Sequence, residues 1–153
     1  LSDGDVSIFE SGACLLHLAR KSGALMPLDL SGEAETIQWV IAALNSIEMV
    51  TVPWWFLQVA GQKENGLTPW MEKRLTQLES VLNAREWLAA GRFTIADLLM
   101  ADVLRVPLVR GYGERPASEA FVARLTDRPA FRKAYADQIA QFAAADEDRR
   151  HSG

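Results

Sequence analysis

Glu10 and Ser11 are the residues best suited to ligand chemistry, because they lie where a short predicted strand gives way to a helix. The first N–H groups of a helix have no partner inside it, and their partial positive charge favours a bound anion. The Ser11 hydroxyl adds a further donor, and the Glu10 carboxylate can pair with an ammonium group. The turn therefore suits a ligand that carries both a carboxylate and an ammonium group. The alternative is that Ser11 only caps the helix, as serines often do.

Thr94 and Asp97 form a second pattern, with the spacing of a capping box. Thr94 can accept a hydrogen bond from the backbone of Asp97, and Asp97 can reach back to the backbone N–H of Thr94. The residues that follow are apolar on most sides of the helix, which is typical of a central, buried helix. We therefore predict a structural role for this pair, at a buried helix start.

The composition of the 153-residue chain argues against several other classes of function. A formal net charge of −4 argues against nucleic acid, whose phosphates favour clustered Lys and Arg. A single cysteine, Cys14, and two His residues leave no internal disulfide and no Cys/His metal cluster. No apolar stretch reaches the roughly 18 residues of a membrane span, and no signal-type segment opens the chain. We expect a cytoplasmic protein with no metal, nucleic-acid or membrane partner.

The elements that must position these residues are mostly helices. A turn at 3–5 and alternation at 6–9 predict a hairpin, with Leu1 as the stub of its first strand. Apolar residues from 33 to about 61 recur at spacings of three and four, which predicts a long helix with a bend near Pro53. Later helices are predicted to begin at Thr68, Thr94, Ser118 and Asp127.

Three segments together resemble the glutathione S-transferase family. The run Phe-Thr-Ile-Ala-Asp at 93–97, after Trp-Leu-Ala-Ala-Gly-Arg at 87–92, is similar to the start of the family's central helix. The run Phe-Glu-Ser-Gly-Ala at 9–13 looks like its glutathione-recognition turn, and 125–131 looks like the entry to its last helix. The resemblance implies a mostly α fold, namely a glutathione transferase C-terminal-like helical bundle with a residual β-hairpin/helix fragment of a thioredoxin-like domain. The implied domains are the truncated end of the glutathione-binding domain at 1–22, a linker at 23–32 and an all-helical domain at 33–153.

The resemblance also implies site residues. In the family an acidic residue and a serine hold the γ-glutamyl end of glutathione, and these roles fall to Glu10 and Ser11. Glu48, Val52 and Trp55 lie on the long helix where the resemblance implies a pocket for a second, apolar substrate. A solvated face for Glu48 and core or dimer packing for Trp55 are the alternatives. No residue of this chain is assigned a catalytic role, because the Ser, Tyr or Cys that activates sulfur in the family belongs to an earlier segment.

The implied function is conjugation of the thiol of glutathione, as co-substrate, to an electrophilic apolar substrate by the intact protein. The chain is expected to be the later part of a longer homodimeric protein and to be inactive alone. The rival hypothesis is a non-catalytic scaffold of the same fold that serves dimerisation or protein interaction. The fold does not decide between conjugation, reduction and isomerisation, since one fold hosts many chemistries.

Overall fold

A small hairpin followed by a helical bundle makes up the protein. The computed structural model describes residues 1–151, apart from the side chains at positions 148 and 151. The hairpin pairs β1 (Ser2–Asp3) with β2 (Val6–Ser7) in antiparallel register. The helices are α1 (Ser11–Ser22), α2 (Leu30–Ala42), a π-helical segment (Ala43–Glu48), α3 (Met49–Val59), α4 (Thr68–Ala84), α5 (Ile95–Leu104), α6 (Pro107–Arg110), α7 (Pro116–Thr126) and α8 (Pro129–His151). The predicted fold class is confirmed.

Ionic contacts hold the hairpin against α1. His17 Nε2 lies 2.7 Å from Asp3 Oδ2, and the Lys21 ammonium contacts the same oxygen. The hydrogen bond from Lys21, and then that from His17, hold the pKa of the Asp3 carboxyl below its usual range. The hairpin and α1 are therefore one unit, which fixes the turn between them.

The long predicted helix is a continuous run from α2 through the π-helical segment to α3. It begins at Leu30, three residues earlier than predicted, because the Asp29 carboxylate accepts the N–H of Gly32 at 2.8 Å and caps the helix start. The regular α pattern is interrupted at Ala43–Glu48, upstream of Pro53. The sequence pattern did not predict this π-helical segment.

The run Leu30–Val59 is long and apolar enough to cross a membrane by length and composition, since its most apolar 18-residue window has a mean hydropathy of 1.4. One of its faces belongs to the protein core through Val40, Ala43, Ile47, Val50 and Trp54. Core helices commonly combine this length with this hydropathy, since a buried helix is apolar on most of its sides. The buried share of that window is 33%, so the buried face accounts for part of the apolar composition.

Helix α5 is the central helix, as the sequence predicts. Eight of its ten residues are buried, and it packs against α2, the π-helical segment, α7 and α1. Helix α4 packs on α7 and α3 and supplies a buried stripe to the same core, consisting of Met71, Leu75, Leu78 and Leu82.

The helix starts predicted at Thr68 and Ser118 have different outcomes. Thr68 opens α4 as predicted, and its hydroxyl accepts the indole N–H of Trp54 at 3.1 Å. Helix α7 begins before Ser118, at Pro116, because the carboxylate of Glu79 on α4 caps it. That carboxylate accepts the N–H groups of Ala117 and Ser118 at 2.7 and 2.9 Å. A side chain from another helix thus does the capping that the pattern assigned to Ser118.

Candidate functional site

The turn that precedes α1 holds Glu10 in an uncommon backbone conformation. Its φ is 71° and its ψ is 126°, in a region that favours glycine and costs a non-glycine residue on the order of 1–3 kcal/mol. Its carbonyl nevertheless accepts the N–H of Cys14 at 3.0 Å as the first bond of the helix. Such strain is concentrated at ligand sites in proteins, so the conformation of Glu10 supports a binding role.

Ser11 is the first residue of α1, and the cap position belongs to Glu10. The predicted N-cap role of Ser11 is therefore wrong, because the helix begins one residue earlier than a serine cap requires. Within residues 1–151, the Ser11 hydroxyl and the Glu10 carboxylate form neither a hydrogen bond nor an ion pair. Both side chains are exposed. The two groups that the sequence assigns to ligand binding are thus available to a ligand.

Gly12 fixes this turn against the helical bundle. It is buried, and a Cβ atom there would lie 2.8 Å from Leu44 Cδ1 and 3.5 Å from Val40 Cγ1. A larger residue would have to displace the end of the Leu44 side chain, so the glycine favours this close approach of α1 to α2 and the π-helical segment. The free N–H groups at the start of α1 therefore have a fixed position relative to the bundle.

A cavity of about 520 Å³ opens beside Ser11, between α1, α5 and α8. Its volume is within the usual range for small-molecule sites. Its lining is mixed, with an apolar part from Leu15, Leu98 and Leu99 and a polar part from Ser11, Asp102, Arg105 and Gln138. Glu10, Glu48, Val52 and Trp55 do not contribute to it among the described residues.

One wall of this cavity is a cluster of charged and aromatic side chains. Arg105 Nε donates to Asp102 Oδ1 at 2.6 Å, and the guanidinium carbon lies 5.6 and 5.4 Å from the ring centres of Phe131 and Tyr135. The two rings are almost parallel, 12° apart. A cation held over aromatic faces is stabilised by their quadrupoles. Sequence reasoning missed this cluster, although the i,i+3 and i,i+4 spacings of its members are visible in the chain.

Glu48 ends the π-helical segment and is half-buried. Burial raises the pKa of its carboxyl, and the charge of Asp102 raises that pKa further. Glu48 is thus neither fully exposed nor fully buried, and both its pocket role and the solvated-face alternative stay predictions. Segments of π-helix often lie at functional sites.

Val52 and Trp55 lie one and two turns beyond Glu48. Val52 is exposed, whereas Trp55 is half-buried. The Trp55 ring contacts Phe56 edge-on at 4.7 Å between ring centres. Glu48, Val52 and Trp55 lie along one continuous helical run, and none of them lines the cavity at Ser11. Their role in a second-substrate pocket stays a prediction.

Glu48→Gln should raise the melting temperature at neutral pH, because it removes a half-buried charge that faces another carboxylate. The folded-state pKa of Glu48 is raised, so ionisation opposes folding above the ordinary Glu pKa and this penalty is absent in acid. The gain should stay below about 1 kcal/mol for a half-buried site, or a few degrees. It should shrink as the pH falls through the raised pKa of Glu48 toward the ordinary Glu value of about 4.3, and it should be absent at lower pH. Thermal melts with the exposed loop residue Glu64→Gln as control test this, and an equal gain in acid would contradict it.

Thr94 and Asp97 form a buried capping box at the start of α5. Asp97 Oδ2 accepts the backbone N–H of Thr94 at 2.8 Å and its hydroxyl at 3.0 Å. Asp97 Oδ1 accepts the N–H of Leu88 at 2.8 Å. Burial raises the pKa of the Asp97 carboxyl, and these hydrogen bonds oppose that rise. The carboxylate thus joins the loop before α5 to the helix itself.

Metal binding has no support from the described part of the chain, where no three His, Cys, Asp or Glu side chains lie together as a possible metal site.

Comparison with known proteins relates this geometry to one family. Residues 62–129 match the family model described as "Glutathione S-transferase, C-terminal domain". The disulfide-bond oxidoreductase YfcG of Escherichia coli is 28% identical over 126 residues, an alignment that covers 72% of this chain and 59% of YfcG. The chain therefore spans less than two thirds of the length of this curated relative.

Solved structures share the fold. A glutathione transferase family member from Pseudomonas fluorescens, with two glutathione molecules bound, has a TM-score of 0.74 and 27% identity over 84% of this chain and 63% of its own. A glutathione transferase from Pseudomonas putida, with one glutathione disulfide bound per subunit, has a TM-score of 0.71 and 25% identity over 84% and 61%.

Proposed function

We propose, from the premise that the chain belongs to the glutathione S-transferase family, that the intact protein binds glutathione at the Glu10–Ser11 turn and joins it through its sulfur to an apolar electrophile. The observation that carries the proposal is the pair of free polar side chains at the fixed, strained start of α1. The glutathione bound in the Pseudomonas fluorescens relative supports the same ligand.

Glutathione carries a carboxylate and an ammonium group on its γ-glutamyl end, and the turn offers a partner for each. The N–H groups of the first turn of α1 and the Ser11 hydroxyl donate to the carboxylate. The Glu10 carboxylate accepts from the ammonium. The close packing at Gly12 holds these partners in place before the ligand arrives, which lowers the ordering cost of binding.

In the conjugation step the thiolate of glutathione attacks an electrophilic carbon. A carbon–sulfur bond forms, the bond to the leaving group breaks, and the leaving group departs with its electron pair. The thiol proton goes to solvent. The turn contributes by holding one reactant in a fixed orientation. Glu48, Val52 and Trp55 are the residues that we propose for the second substrate.

Thiol–disulfide exchange is a second candidate. YfcG is a disulfide-bond oxidoreductase, and the Pseudomonas putida relative binds glutathione disulfide. The Glu10–Ser11 turn would hold a γ-glutamyl group in the same way in either reaction. The two functions therefore share the binding site and differ in what the sulfur attacks, a carbon or a second sulfur.

We also propose that the protein is cytoplasmic and pairs as a homodimer through α2 and α4. These helices border a recess of about 170 Å³ that is lined in part by Trp39, Arg74 and Val81, and the Arg85 guanidinium lies 5.8 Å from the Trp39 ring centre. An aromatic side chain beside a recess is a frequent anchor in interfaces. Sedimentation of the intact protein as a monomer at micromolar concentration would contradict the dimer.

Activity assays of the intact protein decide between the candidates. We expect conjugation of glutathione to an aromatic chloride at least about tenfold faster than in buffer, a small part of the acceleration that enzymes commonly reach. The same preparation is then assayed for glutathione-dependent reduction of a small disulfide. Reduction without conjugation would favour the oxidoreductase, and neither activity would favour the non-catalytic scaffold.

A further inference from the structure

A second cavity, of about 270 Å³, lies on the other side of the first turns of α8. Phe131, Leu98 and Ala134 line both this cavity and the one at Ser11, so they form the wall between the two. The remaining lining is apolar except for one residue, Arg128. It comes from the segment before α2 (Leu25), the loop before α5 (Phe93), α5 (Ala101) and the end of α7 (Leu125).

Arg128 gives this apolar cavity a single positive charge. Its guanidinium carbon lies 3.9 Å from the centre of the Phe93 ring. It forms no ion pair or side-chain hydrogen bond with the described residues. The neighbouring Arg132 is paired with Asp127, and Arg105, beyond the shared wall, is paired with Asp102. Among the described residues that line this cavity, Arg128 is therefore the one cation, and it has no ion-pair partner.

The stacking on Phe93 leaves the donors of Arg128 available. A guanidinium that stacks on an aromatic ring uses its flat face, while its N–H groups point outward in the plane of the guanidinium. Two of those N–H groups can hold a carboxylate in a bidentate pair. The ring contact also restricts the side chain, so that less rotamer freedom remains to be lost on binding.

We propose that this cavity binds a small apolar or aromatic monocarboxylate. The hydrocarbon part enters the space between Leu25 and Leu125, and the carboxylate pairs with Arg128 at the rim. The ligand is an anion because Arg128, which has no ion-pair partner among the described residues, is the one charged residue in the lining. The net charge of −4 on the chain does not attract an anion, so a carboxylate depends on this local cation. The site needs neither Glu10 nor Ser11, and it is distinct from the proposed glutathione site.

Calorimetric titration of the intact protein with 3-phenylpropanoate, and with its neutral amide as matched ligand, tests the proposal. We expect saturable binding of the acid at millimolar or lower concentration and weaker binding of the amide. Arg128→Gln should weaken binding of the acid about five- to tenfold, because it removes one charge-assisted pair at an exposed rim. Its affinity for the amide should equal that of wild type. The affinity of Arg128→Lys for the acid should lie between those of wild type and Arg128→Gln, because lysine keeps the charge but cannot form a bidentate pair.

Two further variants separate this site from its surroundings. Ala130→Leu enlarges an exposed lining residue and should weaken the binding of both the acid and the amide. Arg132→Gln removes the neighbouring arginine, which does not line the cavity, and should change neither affinity. The absence of saturable binding by the acid up to roughly 10 mM, or equal affinity of wild type and Arg128→Gln for it, would overturn the proposal. Unchanged binding in Ala130→Leu would place the ligand elsewhere and overturn it as well.

Discussion

Asp97→Ala is expected to lower the free energy of unfolding by about 2–4 kcal/mol, the cost of leaving buried donors unpaired. Asp97 is fully buried, and its two oxygens accept the N–H groups of Thr94 and Leu88. Removal of the carboxylate leaves both N–H groups without a partner in the core, and it also opens a small cavity beneath α5. For a chain of this size the melting temperature should fall by roughly 4–16 °C.

Two control variants test whether burial, rather than capping alone, causes the loss. Asp29→Ala removes an exposed cap, which accepts the N–H of Gly32 at the start of α2, and should cost about 1 kcal/mol. Asp97→Asn should be intermediate, because the amide keeps one acceptor oxygen but turns an NH₂ group toward a backbone donor. Equal losses for Asp97→Ala and Asp29→Ala in chemical denaturation would contradict this view of the capping box.

Local features of the fold could be predicted from the sequence because they depend on residues a few positions apart. The spacing of Thr94 and Asp97 indicates the start of α5, and the apolar run after it indicates a buried helix. The bond from Leu88 to Asp97 spans nine residues and has no such signal. Glu79 likewise caps α7 from 38 residues away, so the local pattern placed that helix start at Ser118.

At the candidate site, too, the features that depend on neighbouring residues could be predicted and the contacts between distant residues could not. Glu10 and Ser11 could be chosen from the strand-to-helix turn in the sequence, whereas the positive φ of Glu10 has no signal in the residue types around it. The contact of Arg105 with Phe131 and Tyr135 joins α5 to α8. Each spacing in that cluster is local, but the meeting of the two helices is not. The π-helical segment also gave no signal in the apolar periodicity, because a single extra residue in a turn hardly shifts it.

The glutathione-binding role of Ser11 and Glu10 is the central claim, and its loss should have a large effect on ligand affinity with little effect on stability. Ser11→Ala should weaken glutathione binding about 10- to 100-fold, the usual loss for one hydrogen bond to a charged group. Glu10→Gln should weaken it by a similar factor, because the amide has no charge for the ammonium. The melting temperature of Ser11→Ala should stay near that of wild type, since the Ser11 hydroxyl has no partner within residues 1–151.

Titration of glutathione into the intact wild-type protein and its Ser11→Ala variant by calorimetry is the most direct measurement. Ser31→Ala is the matched control, since Ser31 is an exposed serine in the first turn of α2. We predict that Ser31→Ala binds like wild type, whereas Ser11→Ala loses at least about tenfold in affinity while remaining folded. An affinity in Ser11→Ala equal to that of wild type would contradict the assignment of the turn as the glutathione site.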